Sequence, residues 1–329
     1  MRSPKSRATP RGRTETRGGD RGEFAAIERI RRMLPGPPAR EVWIGDDAAV
    51  LAPRPGPLLV TTDLSVAGVH GDLALIGLDD LGWRALASAV SDVAAMGGRP
   101  DGAVVAVAGP STTDLDLLYE GIAASAEAHR CPVVGGDLSN ATELALAVTV
   151  AGHVDAGPGP VLRSGARPGD ELFVTGPLGA AAAGLRILRS RRRGAALATG
   201  DDVPDVIAHR RPRARLIEGE TARLAGASAM IDVSDGLAAD LGHIAEASGV
   251  GFQLGEIPVS PGATLEEALG GGEDYELVIA TAHGAELTAS FARAGLRLPI
   301  LIGTCSPEPT ERTLAGEPVT GLGWEHVWR

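Results

Sequence analysis

Residues 80–108 read DLGWRALASAVSDVAAMGGRPDGAVVAVA, a helical pattern that passes through two glycines into a strand. Leu81, Ala85, Ala89 and Val93 recur at helical spacing, so a helix over 80–96 has one apolar stripe. Gly97 and Gly98 end it, because glycine takes the left-handed conformation that closes a helix. The short apolar run at 104–108 then reads as a buried strand. The same alternatives repeat outward. Toward the N-terminus there is a helix over 23–34, with Phe24, Ile27, Ile30 and Leu34 at helical spacing, and strand patterns at 42–51 and 58–62. Toward the C-terminus there is a helix over 115–129, with Leu118, Ile122 and Ala126 inward, and strands at 131–134 and 144–153. Glycine and proline cluster at 157–160, which marks a boundary. Beyond it come strands at 171–175, 230–233, 275–281 and 300–302, and helices at 180–193, 237–247 and 285–294. The arginine-rich stretch 189–215 reads as a solvated, mobile face or loop. Strands and helices mix without strict alternation, so the fold class is α+β (mixed α/β), with mixed sheets.

The chain has 329 residues, long for one simple core, and divides into a tail at 1–21, a first unit at 22–156 and a second at 157–329. Aromatic residues are only 3%, so Ala, Val and Leu must fill the cores. A net charge of −11 argues against nucleic acid as a partner. The tail carries Arg2, Arg7, Arg11, Arg13, Arg17 and Arg21 among Gly, Pro and Ser and is read as disordered, or as a start placed too early. Lys5 in that tail is the only lysine. A P-loop, a protein-kinase strand lysine and a Schiff-base amine are therefore all excluded. Cys131 and Cys305 show no paired spacing, which fits a reduced cytoplasm, and no apolar run reaches 18 residues.

Six aspartates recur where hydrophobic runs end: Asp47, Asp63, Asp92, Asp137, Asp232 and Asp235. Each alone has a plain structural reading as a helix cap, a turn residue or a solvated side chain. Together, next to glycines, they form the donor set that Mg²⁺ uses to bridge carboxylates to phosphate oxygens. Convergence of so many like charges requires cations, since each close pair repels by a few kcal/mol or so. Local pattern alone does not establish convergence.

These aspartates sit in five of seven strings: GDDAAV (45–50), TTDLSVAGVH (61–70), SDVAAMGGRP (91–100), VVGGDLS (133–139), RSGARPGDELFVTGPLG (163–179), IDVSDGLAADLGHI (231–244) and GGGEDYEL (270–277), of which 163–179 and 270–277 hold none of the six. In this order, with GEF (22–24) and GWEH (323–326) at the ends, the chain resembles the thiamine-monophosphate kinases. That family belongs to the aminoimidazole ribonucleotide synthetase-like (PurM-like) superfamily. The resemblance implies a two-domain PurM-like fold, with helices packed on one face of the sheets and a homodimer formed through the first unit's sheet. It implies direct transfer of the γ-phosphate of ATP to thiamine monophosphate, assisted by several Mg²⁺ ions. Alternatives are a sister ATP-using enzyme of the superfamily and a non-catalytic nucleotide- or metal-binding relative.

By the same resemblance Asp47, Thr61, Thr62, Asp63, Asp92, Asp137, Asp232 and Asp235 supply metal ligands. Thr61 stands where serine is common. Tyr119, Gly136, Asp137, Arg163 and Ser234 face ATP, with Gly136 letting backbone approach phosphate and Arg163 forking onto it. His70, Glu273 and Trp324 face the thiamine substrate, Trp324 by stacking on a cationic heterocycle. No general base is assigned, because the acceptor phosphate is already an anion.

Overall fold

The computed structural model describes residues 22–192, 203–319 and 322–324. The tail at 1–21, the end of the 180–193 helix at Arg193 and Glu325–His326 of the last motif lie outside the described residues.

The first unit runs α1 (Glu23–Met33), β1 (Leu58–Val66), α2 (Leu78–Ala95), β2 (Arg99–Gly109), α3 (Leu115–His129), β3 (Val133–Asn140) and β4 (Ala145–His153). Its sheet has the order β1-β4-β2-β3, with only β2 and β3 parallel. Period-two alternation sends Leu146, Val148 and Val150 of β4 into the core, where α2 and α3 supply Leu81, Leu86, Val90, Leu118 and Ile122. The two helices approach backbone to backbone: a Cβ on Gly121 would lie 1.7 Å from the Asp79 carbonyl oxygen. Among the described residues the other face of this sheet stays open, with Leu58, Val60, Leu64 and Val104 exposed.

The second unit runs β5 (Glu171–Val174), α4 (Ala180–Arg192), α5 (Pro204–Arg210), α6 (Leu216–Leu224), β6 (Ala229–Asp232), α7 (Leu237–Ser248), β7 (Gly251–Leu254), α8 (Leu265–Gly270), β8 (Leu277–Thr281), α9 (Gly284–Arg293), β9 (Ile300–Ser306), β10 (Arg312–Leu314) and β11 (Glu317–Pro318). Its sheet order is β11-β10-β7-β9-β5-β8-β6, with β10 and β7 parallel. Leu172, Val174, Ile231 and Val278 pack beneath α7, whereas Phe173, Met230, Leu277 and Ile279 pack with Ala222 of α6 and Phe291 of α9. Helices therefore cover one face of the first sheet, as expected, but both faces of the second.

Other local readings change. Residues 42–51 do not form a strand. Val42 and Val50 exchange two backbone hydrogen bonds of 3.0 and 2.7 Å, and Gly45, at φ 124°, bends the chain between them. Among its described residues, the arginine-rich stretch is docked. It holds α5, and Arg211 bonds Asp79 at 2.7 Å and Asp80 at 3.1 Å while its guanidinium sits 5.5 Å from the Trp83 ring. Those acids belong to the start of α2, so the countercharge that fixes the stretch is remote in sequence.

Helix α2 touches both units. Trp83 Nε1 donates to the Pro212 carbonyl at 2.7 Å, and Arg223 of α6 donates through Nε to the Gly97 carbonyl at 2.9 Å. Ser91 Oγ donates to Asp232 at 2.6 Å.

Candidate active site

The pleat of β1 turns Leu59, Thr61, Asp63 and Ser65 toward α2 and leaves Val60, Thr62 and Leu64 on the open face. Thr61 Oγ1 donates to the carboxylate of Asp92, a residue of α2. Asp232 ends β6 beneath the same helix and is 3% exposed. Three aspartates from three elements thus face one another. Burial comes first in raising Asp63 to about 6, with the charge of Asp92 next. It likewise raises Asp232 to about 7, followed by Asp92 and, more weakly, Asp63. Asp92 is also raised by burial, against the opposing pull of the Thr61 hydroxyl and the Arg163 guanidinium. Thr61, Asp92, Arg163 and Asp232 line one cavity of about 440 Å³.

Where β6 turns into α7, Asp240 Oδ2 accepts the N–H groups of Asp235 and Gly236, both at 3.0 Å. Burial and the neighbouring Asp232 and Asp235 push Asp240 up to about 8. One ligand atom each of Asp235, Asp240 and His243 falls within 4.8 Å of the others. Apart from His243, the donor set is carboxylate and hydroxyl oxygen, and its carboxylates are mutually repelling and partly desolvated, which suits a hard divalent cation that relieves the repulsion.

The residues assigned to the thiamine substrate adjoin this cluster. Glu273 N–H donates to the Ser234 carbonyl at 2.8 Å, and Trp324 N–H donates to the Asp235 carbonyl at 3.0 Å, so the turn at 234–235 holds both. Trp324 is 60% exposed. Val66 N–H donates to His70 Nδ1 at 3.1 Å, which places the proton of a neutral ring on Nε2. Arg84 joins the two sides, donating to the His70 carbonyl at 3.2 Å and to the Glu273 carboxylate. Tyr275 is buried among Glu273, Arg84, Asp63 and Asp232, and burial raises its hydroxyl well above the usual value.

A second group stands apart. Asp47, Tyr119, Gly136 and Asp137 line a cleft of about 740 Å³ that includes Val104, Thr149 and Ala151 of the open sheet face. Thr62 belongs with this group, since Thr149 Oγ1 donates to Thr62 Oγ1 at 3.1 Å. Adjacent threonines therefore serve different sides of one sheet. The structure also adds a packing role to Gly136: a Cβ there would lie 2.1 Å from the Val105 carbonyl oxygen across the parallel β2–β3 pair. Tyr119 is 3% exposed and part of the first core, and burial raises its hydroxyl to about 12.

Arg84, Ser91, Asp240 and Tyr275 are site residues that the sequence reading passed over. Arg84 had a visible signal: a charged residue three after Leu81 on the apolar stripe of α2 must find partners in the interior.

The N-terminal domain of the AIR synthase related proteins matches residues 45–154 and their C-terminal domain matches 167–313. The thiamine-monophosphate kinase of Bacillus subtilis (strain 168) is 36% identical over 273 residues, which cover 79% of this chain and 83% of that protein. The chain belongs to the thiamine-monophosphate kinase family. Among solved structures, the family member from Stenotrophomonas maltophilia K279a is 34% identical with a TM-score of 0.76, covering 90% of this chain and 98% of that one. The structure described as AaThiL complexed with AMPPCP and TMP is 30% identical with a TM-score of 0.72, covering 96% and 100%. The mixed two-sheet architecture is thus the family's fold over nearly the whole described chain.

Proposed function

We infer that this protein is a thiamine-monophosphate kinase, transferring the γ-phosphate of ATP to thiamine monophosphate to give thiamine diphosphate and ADP. The observation that carries the site reading is the convergence of Asp63, Asp92 and Asp232 from β1, α2 and β6, with the Arg163 guanidinium acting on Asp92 and with Tyr275 buried near Glu273, Asp63 and Asp232. Two anions must meet in this reaction, and bound Mg²⁺ supplies the charge neutralisation and alignment that the meeting requires. Asp63, Asp92 and Asp232, with Thr61 and Asp235, are the residues that would hold it. Asp47 and Asp137, with Thr62, would extend the donor set across the sheet edge. Arg163 offers a guanidinium fork to phosphate oxygens, and Ser234 begins the turn whose N–H groups lead into α7. Tyr119 and Gly136 would border the nucleotide on the open sheet face. His70, Glu273 and Trp324 would hold the thiamine moiety, Glu273 by charge and Trp324 by stacking.

We place the division between the units at residues 156 and 157, supported by strands of one sheet ending at His153 and of the other beginning at Glu171. A homodimer is proposed through the open face of the first sheet, where Val60, at 66% exposed, and Leu64, at 57%, form an apolar surface that a second copy would cover. Cytoplasmic location is supported by Cys131 and Cys305, both free and buried. No helix among the described residues is long and apolar enough to cross a membrane.

The test is incubation of the purified protein with ATP, Mg²⁺ and thiamine monophosphate, following thiamine diphosphate by chromatography. Product requiring all three is expected. Absence of product while ATP still binds would point to a sister enzyme with another acceptor.

A further inference from the structure

Arg84 sits in the middle of α2 and is 5% exposed. Its Nη1 donates to the His209 carbonyl, and its Nη2 donates to the His70 carbonyl at 3.2 Å and to the Glu273 carboxylate. Its Nε has no hydrogen-bond partner among the described residues. The Nδ1 of His209 lies 3.7 Å from the other Glu273 oxygen, but burial, and then the charge of Arg84, push that imidazole down to about 3. His209 is therefore neutral, and Arg84 provides the countercharge for Glu273. A neutral imidazole cannot substitute for it.

The loop that carries Glu273 needs such a hold. Gly272, Glu273 and Tyr275 have φ of 66°, 60° and 51°, a left-handed conformation that is unfavourable for side chains with a Cβ. Backbone bonds pin its base: Glu273 N–H to Ser234, and Tyr275 N–H to the Val233 carbonyl at 2.9 Å. The Asp274 carboxylate turns the opposite way and accepts Gly179 N–H at 2.7 Å and Ala181 N–H at 3.2 Å. These contacts set the loop backbone and leave the Glu273 side chain to be aimed by Arg84.

We propose that Arg84 is a positioning residue for the acceptor substrate, one guanidinium fixing the Glu273 carboxylate of the second unit and the turn at His70 of the first in a common frame. This rests on the reading that His70 and Glu273 face thiamine monophosphate. Arginine suits the task because its planar fork holds several acceptors at set angles, whereas a lysine ammonium is a point charge on a flexible stem. Arg84 acts through those two residues and need not touch the substrate.

Steady-state kinetics on Arg84→Gln test the inference. The expected result is a rise of about tenfold or more in KM for thiamine monophosphate, the size of one lost charged hydrogen bond. KM for ATP should stay within about twofold, because the lost contact lies on the acceptor side. Arg84→Lys should recover only part of the acceptor affinity. The double variant Arg84→Gln with Glu273→Gln should raise KM by clearly less than the product of the two single effects, because both remove the same ion pair and only the hold on the His70 turn adds. An unchanged KM for thiamine monophosphate, equal rises for both substrates, or additive effects in the double variant would overturn the assignment. If Arg84→Gln does not fold, the rise in melting temperature that thiamine monophosphate alone gives Arg84→Lys decides. A full wild-type rise overturns the inference and a diminished rise supports it. Wild-type turnover separates the two readings: without it the functional reading itself fails, whereas an active wild type with an unaffected variant removes only the role of Arg84.

Discussion

At Asp232, burial and the charges of Asp92 and Asp63 act together to disfavour the ionised carboxylate, and only the Ser91 hydroxyl and the local backbone oppose them. Asp63, Asp232 and Asp240 have folded-state values of about 6, 7 and 8, above the usual value of 3.8. Below the usual value they are protonated in both states and do not weaken the fold. As pH rises through the folded values they ionise within it, and stability is lost. The paired carboxylates Glu28, Glu267, Glu286 and Glu311 are lowered instead, so their contribution disappears only in acid, outside this window. The melting temperature of metal-free protein should fall by roughly several degrees between about pH 5 and pH 8, and Mg²⁺ should reverse the fall at the upper end. A flat profile by scanning calorimetry would contradict a repelling cluster. Asp232→Asn should raise the metal-free melting temperature at pH 8 yet lose nearly all turnover, about a hundredfold or more if its carboxylate binds metal. A variant that is active, or no more stable than wild type, would contradict that role.

Close backbone approaches govern the elements. Helices α2 and α3 cross at Gly121, where the Asp79 carbonyl occupies the space of any side chain, and backbone cannot swing aside as a flexible side chain would. Gly121→Ala should destabilise by about 1–3 kcal/mol, seen as a lower denaturant midpoint with unchanged slope. An unaltered midpoint would mean that the helices can separate freely. The pleat of β1 is the other element-scale device. A strand alternates faces, so TTD at 61–63 divides between the acid cluster and the open sheet face. No local change could send both threonines to one side without shifting the register with β4, which pairs Thr61 with Val150 and Thr62 with Thr149.

For the whole molecule, α2 is the shared wall. It presents Leu81, Val90 and Val93 to the first core, Asp92 and Ser91 to the acid cluster, Arg84 to the acceptor side, and Trp83 to the arm entering α6. Movement of one unit against the other would strain the contacts of Ser91, Arg84 and Trp83 together, since each reaches a residue of the second unit. The open sheet face is the opposite case, apolar and uncovered among the described residues. Val60→Lys should yield a monomer by sedimentation velocity if a second copy covers that face, since an ammonium would be desolvated there. A wild type that already sediments as a monomer would remove the dimer.

The sequence by itself determined the long periodic elements and the identities of the acids. Helix 115–129 matches α3 end to end, because helical spacing of Leu118, Ile122 and Ala126 is a local property. The motif order was equally readable, since residue types along a chain carry a family signature without coordinates. Only the tertiary structure decided which acids meet. Asp63, Asp92 and Asp232 are remote in the chain, and their raised affinities for protons arise from shared burial and mutual repulsion. It also decided that Arg211 is docked against Asp79 and Asp80, and that Arg84 joins Glu273 to His70. Charge compensation depends on distance in space, and local sequence pattern holds no measure of that distance.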